Sequence, residues 1–421
     1  MDTVEHKLWV FFLLIFLFPN ISHGKGTSLH GFVQGDFSTR VTGEALPGSE
    51  GGDFLLGEER LQLELAGHNK AGNAGFLAKT DFFHDAVANS ANIDLREAYG
   101  EFTSRSFDFR VGRQIITWGV GDLLFINDVF PKDWSAFFSG QPIEYLKIGS
   151  DAFKFDFYPN IFSVELIVTP LFREDNLPSG SRFFLFDSFP AVANRQTAEP
   201  EKNLKNVEVA LRLYREIGGF DTSLYFSKGF WRSPSLLLDN QTTPTQISFI
   251  FPELLTYGFS VQRSGLGGVW SLESGYYDSI DDRSGTDYSI PNSQVRYLAG
   301  YKRPLWKDAT LGLQYYGEYM LHHGAYRDGL PAGFSAQDRL RHLLTIRFTQ
   351  MLFHQTLKLS LFAFFSPSDV DYQIIPEIQY HFTDELWASV GTNVFGGKNN
   401  NTFFGQLDKN DNVYFVLRYA F

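Results

Sequence analysis

The chain ends on the stretch Val413-Tyr414-Phe415-Val416-Leu417-Arg418-Tyr419-Ala420-Phe421, in which apolar or aromatic side chains occupy every second position. Successive side chains of a β-strand point to opposite faces, so one face of this segment is continuously apolar or aromatic and the other is mixed. The stretch therefore predicts a strand with one face toward an apolar environment. What that environment is decides the fold of the whole chain.

The opposite end of the chain has the layout of a secretory signal peptide. Lys7 precedes an apolar run over residues 8–18, and the small residues Ser22 and Gly24 follow it. The run is too short to span a bilayer as a helix. We predict a signal peptide over residues 1–24 and a single β-barrel domain over residues 25–421. A buried N-terminal strand or helix is the less favoured alternative.

The composition is that of a membrane barrel rather than of a helical membrane protein. No later stretch offers about 18 uninterrupted apolar residues. The mean hydropathy is only −0.16, yet the chain has 44 Phe and 19 Tyr. A barrel explains both facts, because only alternate residues face lipid and aromatic girdles line its interfaces. The absence of Cys excludes disulfides and thiolate ligands, and the net charge of −12 argues against nucleic acid as a partner.

Strand-like alternation recurs along the chain and predicts an all-β fold, a transmembrane antiparallel β-barrel of about 18 strands, within a range of roughly 16 to 20. Short and long connections alternate, as expected when one barrel end faces the periplasm. The predicted segments are 28–38, 58–67, 75–84, 94–104, 107–117, 144–158, 162–170, 205–216, 219–229, 254–264, 268–278, 294–304, 308–321, 341–351, 355–366, 371–382, 385–395 and 412–421.

The two faces of these strands can be assigned from the cost of placing charge in lipid. An Arg or Lys on the lipid face costs about 2–4 kcal/mol at the bilayer midplane, so the charged set should face the lumen. Arg113 falls on the lipid face by strict alternation. A bulge at Gly112 that turns it inward is favoured over a position at the membrane interface. A soluble β-sandwich would reverse the faces and leave many half-apolar strands uncovered.

The connection 117–144 is predicted to fold into the lumen. An eighteen-stranded barrel leaves an aqueous channel unless something fills it, and this loop carries Leu123, Leu124, Phe125, Ile126, Val129, Phe130, Phe137 and Phe138, which need burial. A further strand or a cap over the mouth are the alternatives. The predicted pore constriction comprises Asp122, Asp128, Lys132 and Asp133.

The predicted pore lining is close to balanced in charge. It includes Glu101, Arg110, Gln114, Arg212, Glu318 and Arg347. Since rings of carboxylates favour cations, the loop carboxylates predict a weak preference for cations. Loop 170–205, which contains Arg182, could also enter the lumen and oppose that preference.

Two parts of the sequence resemble known proteins. The last strand, ending on Phe421, resembles the final strand of Gram-negative outer-membrane β-barrels, and this implies recognition of Phe421 by the barrel-assembly machinery. Gly112-Arg113-Gln114, Trp118-Gly119, Asp122, Asn127-Asp128 and Asp133-Trp134 resemble the signature of alginate-export-like and related outer-membrane porins. The resemblance implies a diffusion channel in the cell outer membrane, surrounded by lipid and lipopolysaccharide. It does not extend to alginate, because that family's conduit is strongly basic.

We therefore expect a porin-like channel for small hydrophilic solutes or ions, constricted by loop 117–144, with no cofactor. Whether it forms a homo-oligomer, as many porins do, is left open. The runner-up is a β-barrel sheath for a periplasmic partner, such as a cytochrome in an electron-transfer conduit, or a structural barrel. An enzyme is disfavoured, because no Gly-x-Ser-x-Gly motif accompanies His322, His323 or His342. The Asp-rich stretch 278–287 is better explained as a solvated loop than as a cation site.

Overall fold

The computed structural model describes residues 26–41, 46, 54–331 and 334–421. The predicted signal peptide, 1–24, lies outside the described residues. The described strands are β1 Thr27–Arg40, β2 Phe54–His68, β3 Ala74–Asp85, β4 Ser90–Thr103, β5 Phe107–Gln114, β6 Ser150–Phe157, β7 Ser163–Thr169, β8 Asn194–Ala198, β9 Glu208–Ile217, β10 Phe220–Phe230, β11 Ser235–Leu238, β12 Gln246–Ile250, β13 Glu253–Gly265, β14 Gly268–Ser279, β15 Gln294–Pro304, β16 Ala309–Met320, β17 Leu340–Leu352, β18 Leu357–Ser366, β19 Asp371–His381, β20 Leu386–Gly397 and β21 Asn412–Ala420.

Eighteen of these strands form one antiparallel sheet that closes into a barrel. The seam lies between the first strand and the last, where Phe37 of β1 is paired with Phe415 of β21. Each barrel strand overlaps one predicted segment, so the predicted fold and strand number are confirmed, although β6 begins at Ser150 rather than at the predicted residue 144. One barrel end carries the short turns, the start of β1 and the end of β21, and we call it the short-turn end. The opposite, long-loop end carries the longer connections, although 86–89 and 367–370 are short.

The alternation of faces is also as predicted. On β14, Leu272 is 51% exposed on the outside, whereas its neighbour Glu273 is 2% exposed on the inside. Val390 and Ser389 of β20 repeat the pattern. The outer surface is therefore apolar and aromatic, and the polar side chains converge on the lumen.

The prediction of a bulge at Gly112 is wrong. The pairing of β5 with β4 and with β6 runs through Gly112 without a shift of register. Arg113 remains on the outward face, where its Nε and Nη2 donate to the two carboxylate oxygens of Asp151, both at 2.8 Å. The nearby irregularity lies instead in β4, where Arg96 is an extra residue opposite β3.

A small three-stranded sheet stands apart from the barrel at the long-loop end. Strand β12 pairs antiparallel with β11 and parallel with β8. Val192, Leu238 and Ile247 form its apolar core. The two α-helices of the described chain, α1 (Trp134–Ser139) and α2 (His323–Gly329), are short. Within the described ranges, no helix has the length and apolar character needed to cross a membrane.

Candidate functional site

The connection between β5 and β6, residues 115–149, fills much of the barrel interior, and we call it the lumen loop. Its apolar side chains are buried against inward-facing residues of the wall instead of forming another strand. The shared cluster includes Leu124, Ile126, Phe137 and Phe138 from the loop, and Leu254, Tyr277, Leu298, Tyr316, Leu343, Phe362, Phe364 and Phe395 from the strands. Burial of these side chains holds the loop inside the barrel, as predicted.

One wall carboxylate anchors the first half of the lumen loop. Glu273 Oε2 accepts hydrogen bonds from the backbone N–H groups of Val120 (2.8 Å) and Gly121 (3.1 Å). Its Oε1 accepts from the backbone N–H and the side-chain amide of Asn127, at 2.8 and 3.0 Å. The backbone approaches so closely that a Cβ on Gly119, whose φ is 81°, would lie 2.6 Å from Oε1. Glycine is required here by both the φ angle and the space.

Other anchors lie on different sides of the barrel. Trp118 Nε1 donates to Glu165 Oε2 of β7 at 3.0 Å, and its ring packs on Phe130 with 5.2 Å between ring centroids. Farther along, the carbonyl oxygen of Phe138 accepts from the side-chain amides of Asn393 (3.3 Å) and Asn412 (3.1 Å). The lumen loop therefore crosses the lumen and is fixed to β7, β14, β20 and β21.

Of the four predicted constriction residues, Asp122 contacts the opposite wall. Arg347 Nη2 of β17 donates to Asp122 Oδ1 at 2.9 Å. The side-chain amide of Gln314 both donates to the backbone oxygen of Asp122 (2.8 Å) and accepts from its N–H (2.7 Å). Asp122 and Arg347, predicted separately as constriction and lining residues, are thus brought together.

The other three predicted constriction residues serve the internal structure of the loop. Asp128 and Lys132 are both buried, 3.1 Å apart, and Lys147 forms a second ion pair with Asp128. Burial lowers the pKa of Lys147. Asp133 caps α1 by accepting from Ala136 N at 2.7 Å. The four residues do not converge on one point, and their role as a constriction stays a prediction.

The remaining predicted lining residues lie on inward-facing positions, and most of them contact other residues of the barrel wall. Arg110 donates to Glu101 at 3.0 Å. Arg212 donates to Ser223 at 3.2 Å. The further contacts are Gln114 Nε2 to the Ala152 carbonyl oxygen at 3.1 Å, Tyr316 OH to Glu318 at 2.8 Å, and Arg296 Nε to Glu318 at 3.4 Å.

Two cavities lie on either side of the lumen loop. The long-loop chamber, of about 990 Å³, is lined by β2–β4, by the lumen loop and by residues 172–199. The short-turn chamber, of about 290 Å³, is lined by residues 140–144 of the lumen loop and by inward residues of β17–β21. Gln141 lines both chambers and lies 3.4 Å from Glu58 of the wall. Gln141 was not among the predicted site residues, and no local pattern in the sequence distinguishes it.

The sequence features considered for metal binding or catalysis make contacts with neighbouring side chains. Among the residues described, no three or more His, Asp or Glu side chains are grouped so as to hold a metal ion. In the Asp-rich stretch, Asp278 accepts from Arg283 Nε (2.9 Å) and Nη2 (2.7 Å). His342 Nδ1 lies 2.6 Å from the hydroxyl of Tyr315.

Comparison with known proteins gives a family and a fold. The model of the family described as "Protein of unknown function (DUF1302)" matches residues 66–303, more than half of the chain. No curated protein matches the sequence.

Solved porin structures are similar to the barrel. Pseudomonas aeruginosa OccK2 (OpdF), solved in complex with glucuronate, has a TM-score of 0.57 at 8% identity, with 94% of this chain and 98% of that chain covered. P. aeruginosa OccK10 (OpdN) has a TM-score of 0.52 at 12% identity, with coverage of 94% and 99%. At such low identity the likeness concerns the fold alone, which is that of these barrels.

Proposed function

Because the chain belongs to the family described as "Protein of unknown function (DUF1302)" and folds as an 18-stranded barrel, we propose that it is an outer-membrane channel for small hydrophilic solutes. The apolar outward face suits lipid, including lipopolysaccharide, and Phe421 suits recognition by the barrel-assembly machinery. The observation that carries the proposal is the pair of chambers on either side of the lumen loop, both of which are lined by Gln141. Kinship with alginate-export-like porins and assembly into a homo-oligomer remain parts of this proposal.

The lumen loop is proposed as the constriction, with Gln141 as its narrowest residue. Replacement of Gln141 by Trp should lower the single-channel conductance of the purified protein in planar bilayers, and Gln141→Ala should raise it. Gln241→Trp, in an exposed loop, is the matched control. If Gln141→Trp conducts like that control, the passage does not run past Gln141.

The charges support a weak preference for cations, but of the three loop carboxylates in the sequence-based prediction only Asp133 contributes to it. Asp128 is offset by two lysines and Asp122 by Arg347. The long-loop chamber, in contrast, is lined by seven carboxylates and four arginines: Glu58, Asp85, Asp94, Asp133, Glu174, Asp175 and Glu199, with Arg60, Arg96, Arg173 and Arg182. Carboxylate-rich linings favour cations. Reversal potentials across a salt gradient that report clear anion preference would refute this proposal.

A sheath around a periplasmic cytochrome is the competing proposal. The lumen loop opposes it, because a partner inside the barrel would have to displace the buried cluster of Leu124, Ile126, Phe137 and Phe138. Conductance of the protein alone separates the two functions. Open channels support the porin, whereas a silent barrel that co-purifies with haem supports the sheath. We also infer that the protein is not an enzyme, since a diffusion channel needs no reacting groups.

A further inference from the structure

We propose that the long-loop chamber binds a zwitterionic solute, an amino acid or short peptide, whose carboxylate meets Arg96 and Arg173 and whose ammonium group meets Glu174 and Glu199. The inference rests on the proposed channel function and names its substrate class. All four side chains line the same cavity of about 990 Å³.

The two arginines are held in place by backbone carbonyls. Arg96 Nη2 donates to the carbonyl oxygen of Glu144 at 2.8 Å, and its guanidinium lies 4.5 Å from the centre of the Tyr145 ring. Arg173 Nη1 donates to the carbonyl oxygen of Gly149 at 2.8 Å. Among the described residues, neither guanidinium has an ion pair within 4 Å. Since each guanidinium has five N–H donors, most remain available to a carboxylate.

The charges around Arg173 are of both signs. Burial, followed by the neighbouring Arg113, lowers the pKa of Arg173, and the carboxylates of Asp94, Asp151 and Asp133 oppose that effect. Asp151 is already engaged with Arg113. Asp94 lines the chamber as well and is the carboxylate that competes most directly with a solute on this side.

The acidic side of the chamber consists of Glu174 and Glu199. In the described part of the chain, neither carboxylate has a hydrogen-bond or ion-pair partner, whereas the adjacent Asp175 accepts from Lys132 N (2.8 Å) and Trp134 Nε1 (3.1 Å). Burial, and then the nearby carboxylates of Glu199 and Asp175, raises the pKa of Glu174. An ammonium group bound here would relieve the repulsion between like charges.

Four other charged side chains of the lining are paired with each other. Arg60 is bonded to Glu58, and Arg182 to Asp85. The groups left for a solute are therefore of both signs, and Arg173 and Glu174 are consecutive in the chain. A simple anion or a simple cation can use only one of the two sets, whereas a solute with both charges can use both at once, so the arrangement favours such a solute.

The test compares one peptide with its two blocked forms in proteoliposomes that contain the full-length barrel. Uptake is measured for trialanine, N-acetyl-trialanine, trialanine amide and the neutral sugar arabinose. We expect trialanine to exceed both blocked forms by about two- to fivefold, the ratio expected for one partly screened ion pair. The double variant Arg96→Gln, Arg173→Gln should remove the advantage over trialanine amide. The double variant Glu174→Gln, Glu199→Gln should remove the advantage over N-acetyl-trialanine.

Arabinose uptake distinguishes a failure of the proposed channel function from a failure of the proposed preference for zwitterions. If arabinose enters but trialanine shows no advantage, the inference is wrong and the channel stands. If arabinose does not enter faster than into empty liposomes, both the channel and the inference are wrong. The control variants Glu201→Gln and Arg215→Gln each remove one charge, a negative and a positive one respectively, outside the chamber lining, and they should behave like the wild type. A loss of preference in these controls would also overturn the assignment.

Discussion

Replacement of Glu273 by Gln should loosen the lumen loop while leaving the barrel closed. The carboxylate accepts four hydrogen bonds from residues 120–127, two on each oxygen. An amide keeps one acceptor oxygen and turns an NH2 group toward the other two donors. Hydrogen bonds to charged groups contribute about 1.5–3 kcal/mol each, so the loss of two weakens the attachment by about 3–6 kcal/mol. Strand pairing of β14 uses backbone groups and is unaffected.

The loosening can be measured by hydrogen exchange and by conductance. At about 3 kcal/mol, the opening equilibrium of residues 118–128 rises roughly a hundredfold, and their amides should exchange correspondingly faster. Single-channel conductance should become larger and noisier. Glu377→Gln is the matched control, because this inward glutamate of β19 bonds Tyr414 (3.2 Å) and Lys358 (3.9 Å) rather than the loop. Identical exchange and conductance in the two variants would refute the anchoring role of Glu273.

Three further outcomes can be measured. Deletion of Phe421 removes two backbone hydrogen bonds to Gly31, of 3.0 and 2.9 Å, so the heat-modifiable fraction after refolding should fall; an undiminished fraction would contradict its role at the seam. Burial raises the pKa of Asp175 above its usual 3.8, so its buried position should become less stable as pH rises through the folded-state pKa, although the hydrogen bonds from Lys132 and Trp134 favour the ionised form. After correction for the intrinsic pH dependence of amide exchange, the protection of amides 132–135 should be lower at about pH 7 than at about pH 4, and Asp175→Asn should show no such difference. Arg113→Leu leaves Asp151 uncompensated on the outward face, so it should destabilise the barrel by about 1–3 kcal/mol and lower the gel-shift melting temperature. Adding Asp151→Leu should restore that temperature, and an unchanged temperature in Arg113→Leu would show that the pair contributes nothing.

The barrel was predictable because its physical requirements repeat along the chain. Each strand must alternate apolar and polar side chains, and this alternation can be read from neighbouring residues such as Leu272 and Glu273 alone. The burial of the lumen loop was predictable for a similar reason, since Phe137 and Phe138 would be unstable in water.

The site itself depended on contacts between distant residues, which no local pattern reveals. Asp128 is neutralised by a lysine nineteen positions away, so its charge could not be assigned to the lumen or to the loop core from sequence. Arg113 was expected to be turned inward, but on the outward face it forms an ion pair with Asp151 of the neighbouring strand β6. The sheet of β8, β11 and β12 was not predicted because its strands of four or five residues are too short to show a clear alternation of faces.

The route of the lumen loop sets an order of assembly. It belongs to the first third of the chain, yet Glu273, Asn393 and Asn412, which hold it, belong to the later strands. The loop's final contacts therefore cannot form until β14, β20 and β21 are in place, and contacts of such long sequence separation form slowly. A newly closing barrel should pass through a state in which the wall is complete but the interior is still open. Conductance that falls with time after insertion would be the signature of that state.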